Sequence, residues 1–114
     1  MTAKSPAARQ PSGSATPFRD VPKLLLFGWG QEPIIFPLIP AEVLIGRLYS
    51  VDLVLEDPAV SRIHAKIVRE GSERTLVDLE SSTGTFVNGS PVGRHVLCDG
   101  DVIQIASIQM EYRT

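Results

Sequence analysis

The chain has 114 residues, 11 basic and 13 acidic side chains, and a formal net charge of −2. That length makes one domain, and 43% apolar with 21% charged residues is the composition of an ordinary globular domain. The single Cys98 cannot form an internal disulfide, no apolar run reaches the ~18 residues of a membrane helix, two His and one Cys are too few and too scattered for structural zinc, and an acidic total argues against a nucleic-acid surface.

Residues 1–20 are mainly Ala, Ser, Thr, Pro and Gly, with Phe18 as the one aromatic. Lys4, Arg9 and Arg19 against Asp20 give this stretch a net +2 and leave −4 on the remainder. It cannot bury enough apolar surface to offset its ordering entropy, so residues 1–21 are expected to form a disordered tail. No apolar core of a signal peptide is present. Pro6, Pro11 and Pro17 break the amphipathic helix of a transit peptide, so a cytoplasmic protein is expected.

From Val21 onward the pattern is β. Lys23–Phe27 is a short apolar run closed by Gly28 and Gly30. Pro33–Leu38 and Val43–Ile45 follow, then His64–Arg69 and Thr75–Leu79. Phe86-Val87 precedes Asn88-Gly89, the strongest short hairpin signal, because a type I′ turn needs positive φ at both central residues. Val102–Ile105 leads out of a Gly100-Asp101 turn. Ile108, Met110 and Tyr112 then alternate with polar residues in the period of a half-buried strand. Roughly ten short strands at regular spacing, rich in Gly and Pro turns, predict an all-β sandwich.

No GxSxG, P-loop, HExxH or CxxC motif occurs. Ser61, His64 and Asp78 can be written as a hydrolase triad. They lack a nucleophile elbow and an oxyanion-hole signature, so no catalytic residue is assigned and an enzyme is not expected. The polar residues at strand ends are more informative. Gly46-Arg47 closes one strand, Ser61-Arg62 precedes another, and Ser81-Ser82-Thr83-Gly84 joins two more. Singly, each is a solvated turn or a turn-capping hydroxyl. Gathered at one end of a sandwich, two guanidinium forks with several hydroxyls and loop amides make an oxyanion site. The loops at Arg47 and Ser61 reach the same end only if the intervening strand is short, with Leu53-Val54-Leu55 alone extended.

The stretches IGRLYSVDLVLEDPAVSRIHAKIV, VDLESSTGTFVNG and LCDGDVIQI resemble a forkhead-associated (FHA) domain, from about Lys23 to Arg113. The resemblance implies a sandwich of about eleven strands over residues 22–114, binding phosphothreonine at one end. It implies that Arg47, Ser61, Arg62, Ser82 and Thr83 contact the ligand. Gly46, His64, Gly84, Asn88 and Gly89 would support the site. Where the family usually has Asn before Gly-Thr this chain has Thr83, which offers one hydroxyl in place of an amide donor and a carbonyl, so an altered grip on the peptide is expected. Ala106 likewise replaces a frequent Gly in the final hairpin.

The expected function is a monomeric adaptor or regulator that binds a phosphothreonine protein or peptide made by a Ser/Thr kinase. No cofactor, metal, nucleic acid or membrane is called for. A phosphothreonine carries about −1.5 to −2 charge, so binding switches with modification. The alternative is a phosphate-independent interaction or autoinhibitory domain of the same fold. Thr16-Pro17 offers a site to a proline-directed kinase, through which the tail could occupy its own domain.

Overall fold

Apolar residues at every second position, interrupted by turn residues, leave no stretch that could bury a helical face. The computed structural model describes residues 21–28 and 30–114, and in these it has eleven strands and no helix. In chain order they are β1 (Lys23–Phe27), β2 (Ile34–Pro37), β3 (Glu42–Gly46), β4 (Leu53–Val54), β5 (Ala65–Glu70) and β6 (Glu73–Asp78). They continue as β7 (Thr85–Val87), β8 (Ser90–Pro91), β9 (Arg94–Val96), β10 (Val102–Ile105) and β11 (Ile108–Arg113). Residues 1–20, and with them nearly all of the expected tail and Thr16, lie outside the described residues.

The strands form a six-stranded sheet, ordered β2-β1-β11-β10-β7-β8, and a five-stranded sheet, ordered β4-β3-β5-β6-β9. The two sheets bury one shared core between their inner faces, with Leu24, Ile103 and Met110 from the first and Ile45, Ile67 and Leu76 from the second. Alternation places these residues inward and their neighbours outward.

β8 and β9 have no counterpart in the strands read from the sequence. They are two and three residues long, too short to carry a period, and pairing with β7 and β6 creates them. The Asn88-Gly89 turn does form, with φ of 52° and 86°, and it sets Val87 opposite Ser90. His64 and Leu79 fall outside the strands expected to contain them. Leu79 instead donates its N–H to the His64 carbonyl, just beyond the β5–β6 ladder.

One connection decides where the site lies. β4 runs parallel to β3, with Ile45 beside Leu53 and Gly46 beside Val54. Residues 47–52 therefore fold back along β3 before the chain climbs again. The segments after β3, after β4 and after β6 thus open at one end of the sandwich, which also holds the Ala106-Ser107 turn. Pro22, whose carbonyl accepts the N–H of Leu38, and Thr114 lie at the other end.

Candidate functional site

The site begins with a close approach of two backbones. A Cβ on Gly46 would stand 2.2 Å from the Arg62 carbonyl oxygen. Glycine there lets the chain after β3 run against residues 61–64. Arg47 N–H is shared between the Ser61 and Arg62 carbonyls at 3.1 Å each, and Leu48 N–H reaches the Arg62 carbonyl at 3.2 Å. The Arg47 Nε–H donates to the Val60 carbonyl at 3.0 Å, which fixes the guanidinium plane. Its terminal nitrogens have no partner among the described residues, and neither Arg47 nor Arg62 enters an ion pair there.

His64 holds the loops in place from beneath. It is fully buried. The Ser61 N–H donates to its Nδ1 at 3.0 Å, so that nitrogen is an acceptor and the proton resides on Nε2. Nε2 then donates to the Gly84 carbonyl at 2.9 Å. Gly84 sits at φ 90°, a conformation that side chains disfavour.

The 79–84 loop is tied down by Asp78. Its carboxylate accepts from the Ser81 hydroxyl at 2.5 Å, the Ser81 N–H at 3.2 Å and the Thr85 hydroxyl at 2.7 Å. Partial burial alone would raise this carboxyl's pKa. The hydrogen bonds from Ser81 and Thr85 outweigh it and hold the group below its ordinary range. The sequence shows this anchor as an Asp three residues before a Ser, a common turn-capping spacing.

Four of the expected ligand contacts come together. Arg47, Ser61, Arg62 and Ser82 line one open cleft of about 540 Å³, with Leu48 and Ile63 completing its walls. Ser61 Oγ accepts the Ser82 N–H at 3.0 Å, and the two hydroxyl oxygens lie 3.2 Å apart. Thr83 is placed differently. Its hydroxyl donates to the Ala59 carbonyl at 2.9 Å, so it braces one loop against another. Asn88 and Gly89 close the β7–β8 hairpin at the far end of the sandwich, where Asn88 bonds Asp101 and Val102.

The arrangement suits an oxyanion and not a nucleophile. Both His64 ring nitrogens are already engaged, by the Ser61 amide and the Gly84 carbonyl, and Ser61 Oγ is engaged with Ser82. Two guanidinium groups, with no ion-pair partner among the described residues, and a pair of hydroxyls share the cleft.

Comparison with known proteins identifies the family and the fold. The FHA domain family model matches residues 43–106. The glycogen accumulation regulator GarA of Mycolicibacterium smegmatis is 42% identical over 69 residues, covering 60% of this chain and 44% of GarA. The chain thus spans under half the length of that curated relative. A domain from a structural and functional analysis of phosphothreonine-dependent FHA interactions is 35% identical with a TM-score of 0.75, covering 82% of this chain and 96% of that one. Mycobacterium tuberculosis EmbR, solved with a low-affinity phosphopeptide, is also 35% identical, with a TM-score of 0.76 over 82% of this chain and 24% of its own. With the family model covering more than half of the sequence, from β3 to the end of β10, the chain belongs to the FHA domain family.

Proposed function

We propose that residues 22–114 bind phosphothreonine segments of partner proteins and act as an adaptor or regulator in Ser/Thr kinase signalling inside the cell. The observation that carries this reading is the convergence of Arg47, Arg62, Ser61 and Ser82 on one cleft, with no carboxylate paired to either arginine among the described residues. A phosphate supplies the missing counter-charge and accepts from guanidinium and hydroxyl donors at once. Charge-assisted hydrogen bonds contribute roughly 1.5–3 kcal/mol each. An unmodified threonine leaves the arginines uncompensated, so recognition follows phosphorylation. GarA, a regulator by name, supports a regulatory and non-catalytic role.

Pull-down with a phosphothreonine peptide, before and after phosphatase treatment, tests this. Capture that depends on the phosphate is expected. The bond of the Thr83 hydroxyl to the Ala59 carbonyl favours a second reading, a phosphate-independent protein contact, because it already engages that hydroxyl's proton within the domain. Capture that survives phosphatase supports that second reading.

A further inference from the structure

The outermost strand of a sheet exposes a row of main-chain donors and acceptors, and short or charged edge strands keep that row from pairing. Three of the four edges here follow this rule. β4 and β8 are two residues long, and β9 is three residues long and carries Arg94 and His95. β2 does not follow it. At four residues it is the longest edge, and residues 33–41 around it include no charged side chain. Among the described residues it pairs with β1 on one side and with nothing on the other. Ile34 and Ile35 are 48% and 59% exposed, and Phe27, Pro37 and Ile39 are open beside them.

The register determines what this edge can offer. The Leu38 N–H bonds the Pro22 carbonyl, and the ladder continues with Phe36 opposite Leu24 and Ile34 opposite Leu26. Bonded and non-bonded pairs alternate in an antiparallel ladder, so residues 34, 36 and 38 turn their main-chain groups to β1. Pro33, Ile35 and Pro37 turn theirs to the free edge. Proline has no N–H, so only Ile35 presents a donor together with an acceptor, and the two prolines stop pairing from spreading along the strand. A two-fold pairing centred on Ile35 meets these constraints. Its N–H and C=O reach those of Ile35 in a second copy, and Pro33 faces Pro37 of that copy, where neither has a donor to leave unpaired. The same pairing sets Ile35 against Ile35 and Ile34 against Phe36, apolar on both faces of the junction and with no like charges opposed.

We propose that β2 is a self-association edge, at which a second copy of this chain docks through Ile34, Ile35 and Phe36. The open apolar surface here is at most roughly 450 Å² per copy, against about 800 Å² per partner in a standard stable interface. The dimer is therefore weak and concentration-dependent, and the monomer expected from the sequence holds at low concentration. Antiparallel pairing also reverses one domain relative to the other, so the two Arg47 clefts face opposite ways. On the phosphothreonine reading above, one dimer then bridges two modified partners, and no single short peptide reaches both clefts.

Sedimentation equilibrium of the full chain, from low micromolar to near-millimolar concentration, tests it. The unaltered chain is expected to pass from monomer to dimer and no further. Ile35→Lys sets like charges opposite each other at the two-fold and is expected to weaken the dimer at least about tenfold. An equimolar mixture of Ile35→Lys with Ile35→Glu is expected to regain it, since Lys then faces Glu. Ile35 is exposed, so both variants are expected to keep the urea midpoint of the unaltered chain. Arg47→Ala is expected to dimerise as the unaltered chain does, which separates this edge from the cleft. An unaltered chain that stays monomeric throughout, or a dimer untouched by Ile35→Lys, overturns the edge. A mixture that stays monomeric overturns the pairing centred on Ile35. None of these outcomes bears on the phosphothreonine cleft, which peptide titration tests by itself.

Discussion

His64 donates from Nε2 to the carbonyl of Gly84 across 2.9 Å, joining loops twenty residues apart in the chain. With the Ser61 amide on its other nitrogen, the ring sets the distance between the Ser61 and Ser82 loops. His64→Phe keeps a flat aromatic ring, somewhat larger, and leaves the Ser61 N–H and the Gly84 carbonyl without partners. It is expected to cost about 3 kcal/mol of stability, measured by urea unfolding, and to weaken phosphopeptide binding along with it.

Gly46→Ala tests the close approach. The added methyl meets backbone at Arg62 and not a movable side chain. Overpacking of this kind costs about 3 kcal/mol at the upper end. Displacement of the 61–64 segment is expected to lower phosphopeptide affinity further than Ser61→Ala does, and parallel titrations of the two variants measure this.

Ala106 adopts φ 55° in the turn between β10 and β11. Left-handed backbone strains any residue with a Cβ. Ala106→Gly relieves this, although it removes a methyl packed on the core. A net gain of about 0.5 kcal/mol is expected, seen as a raised denaturant midpoint at unchanged slope.

Asp78 and Asp101 govern the acid side of the stability profile. Burial alone would raise both pKa values. At Asp78 the Ser81 and Thr85 hydrogen bonds prevail, and at Asp101 the Cys98 N–H, His95 and Asn88 do. Both groups are therefore held below the ordinary aspartate value of 3.8 when folded. Their stabilisation is fully present above that value and is lost as pH falls through the lowered folded values. Unfolding midpoints measured from neutral pH downward are expected to drop below about pH 4. Asp78→Asn is expected to flatten that drop while lowering stability at neutral pH.

The parts of this fold that were legible in the sequence are those set locally. The alternation over Ile108–Arg113 and the Asn88-Gly89 turn depend on residues next to one another. The four cleft residues were legible because Gly-Arg, Ser-Arg and the Ser-rich loop each close or open a strand. The parallel pairing of β3 with β4 was not, because it rests on the packing of Val51, Leu53 and Leu55 into the core together with the bonds that join Asp52 to Leu44. Thr83 does not line the cleft with the other four. Its bond to Ala59 spans twenty-four residues, and no local pattern announces it. Leu48 and Ile63 carry no local signal of their place in the cleft: an aliphatic residue beside an arginine looks the same in sequence whether it faces the core or a cleft.

Titration of a phosphothreonine peptide into the chain and into Arg47→Ala, followed by fluorescence anisotropy, tests the phosphate site most directly. Arg47 is the cleft's positioned guanidinium, fixed through Nε by the Val60 carbonyl. Affinity on the order of −8 kcal/mol is expected for the unaltered chain. A loss of at least ~2 kcal/mol, about thirtyfold, is expected for the variant, with no measurable binding of the unphosphorylated peptide to either. Equal affinity of the two proteins for the phosphorylated peptide would contradict the assignment of the cleft as the phosphate site.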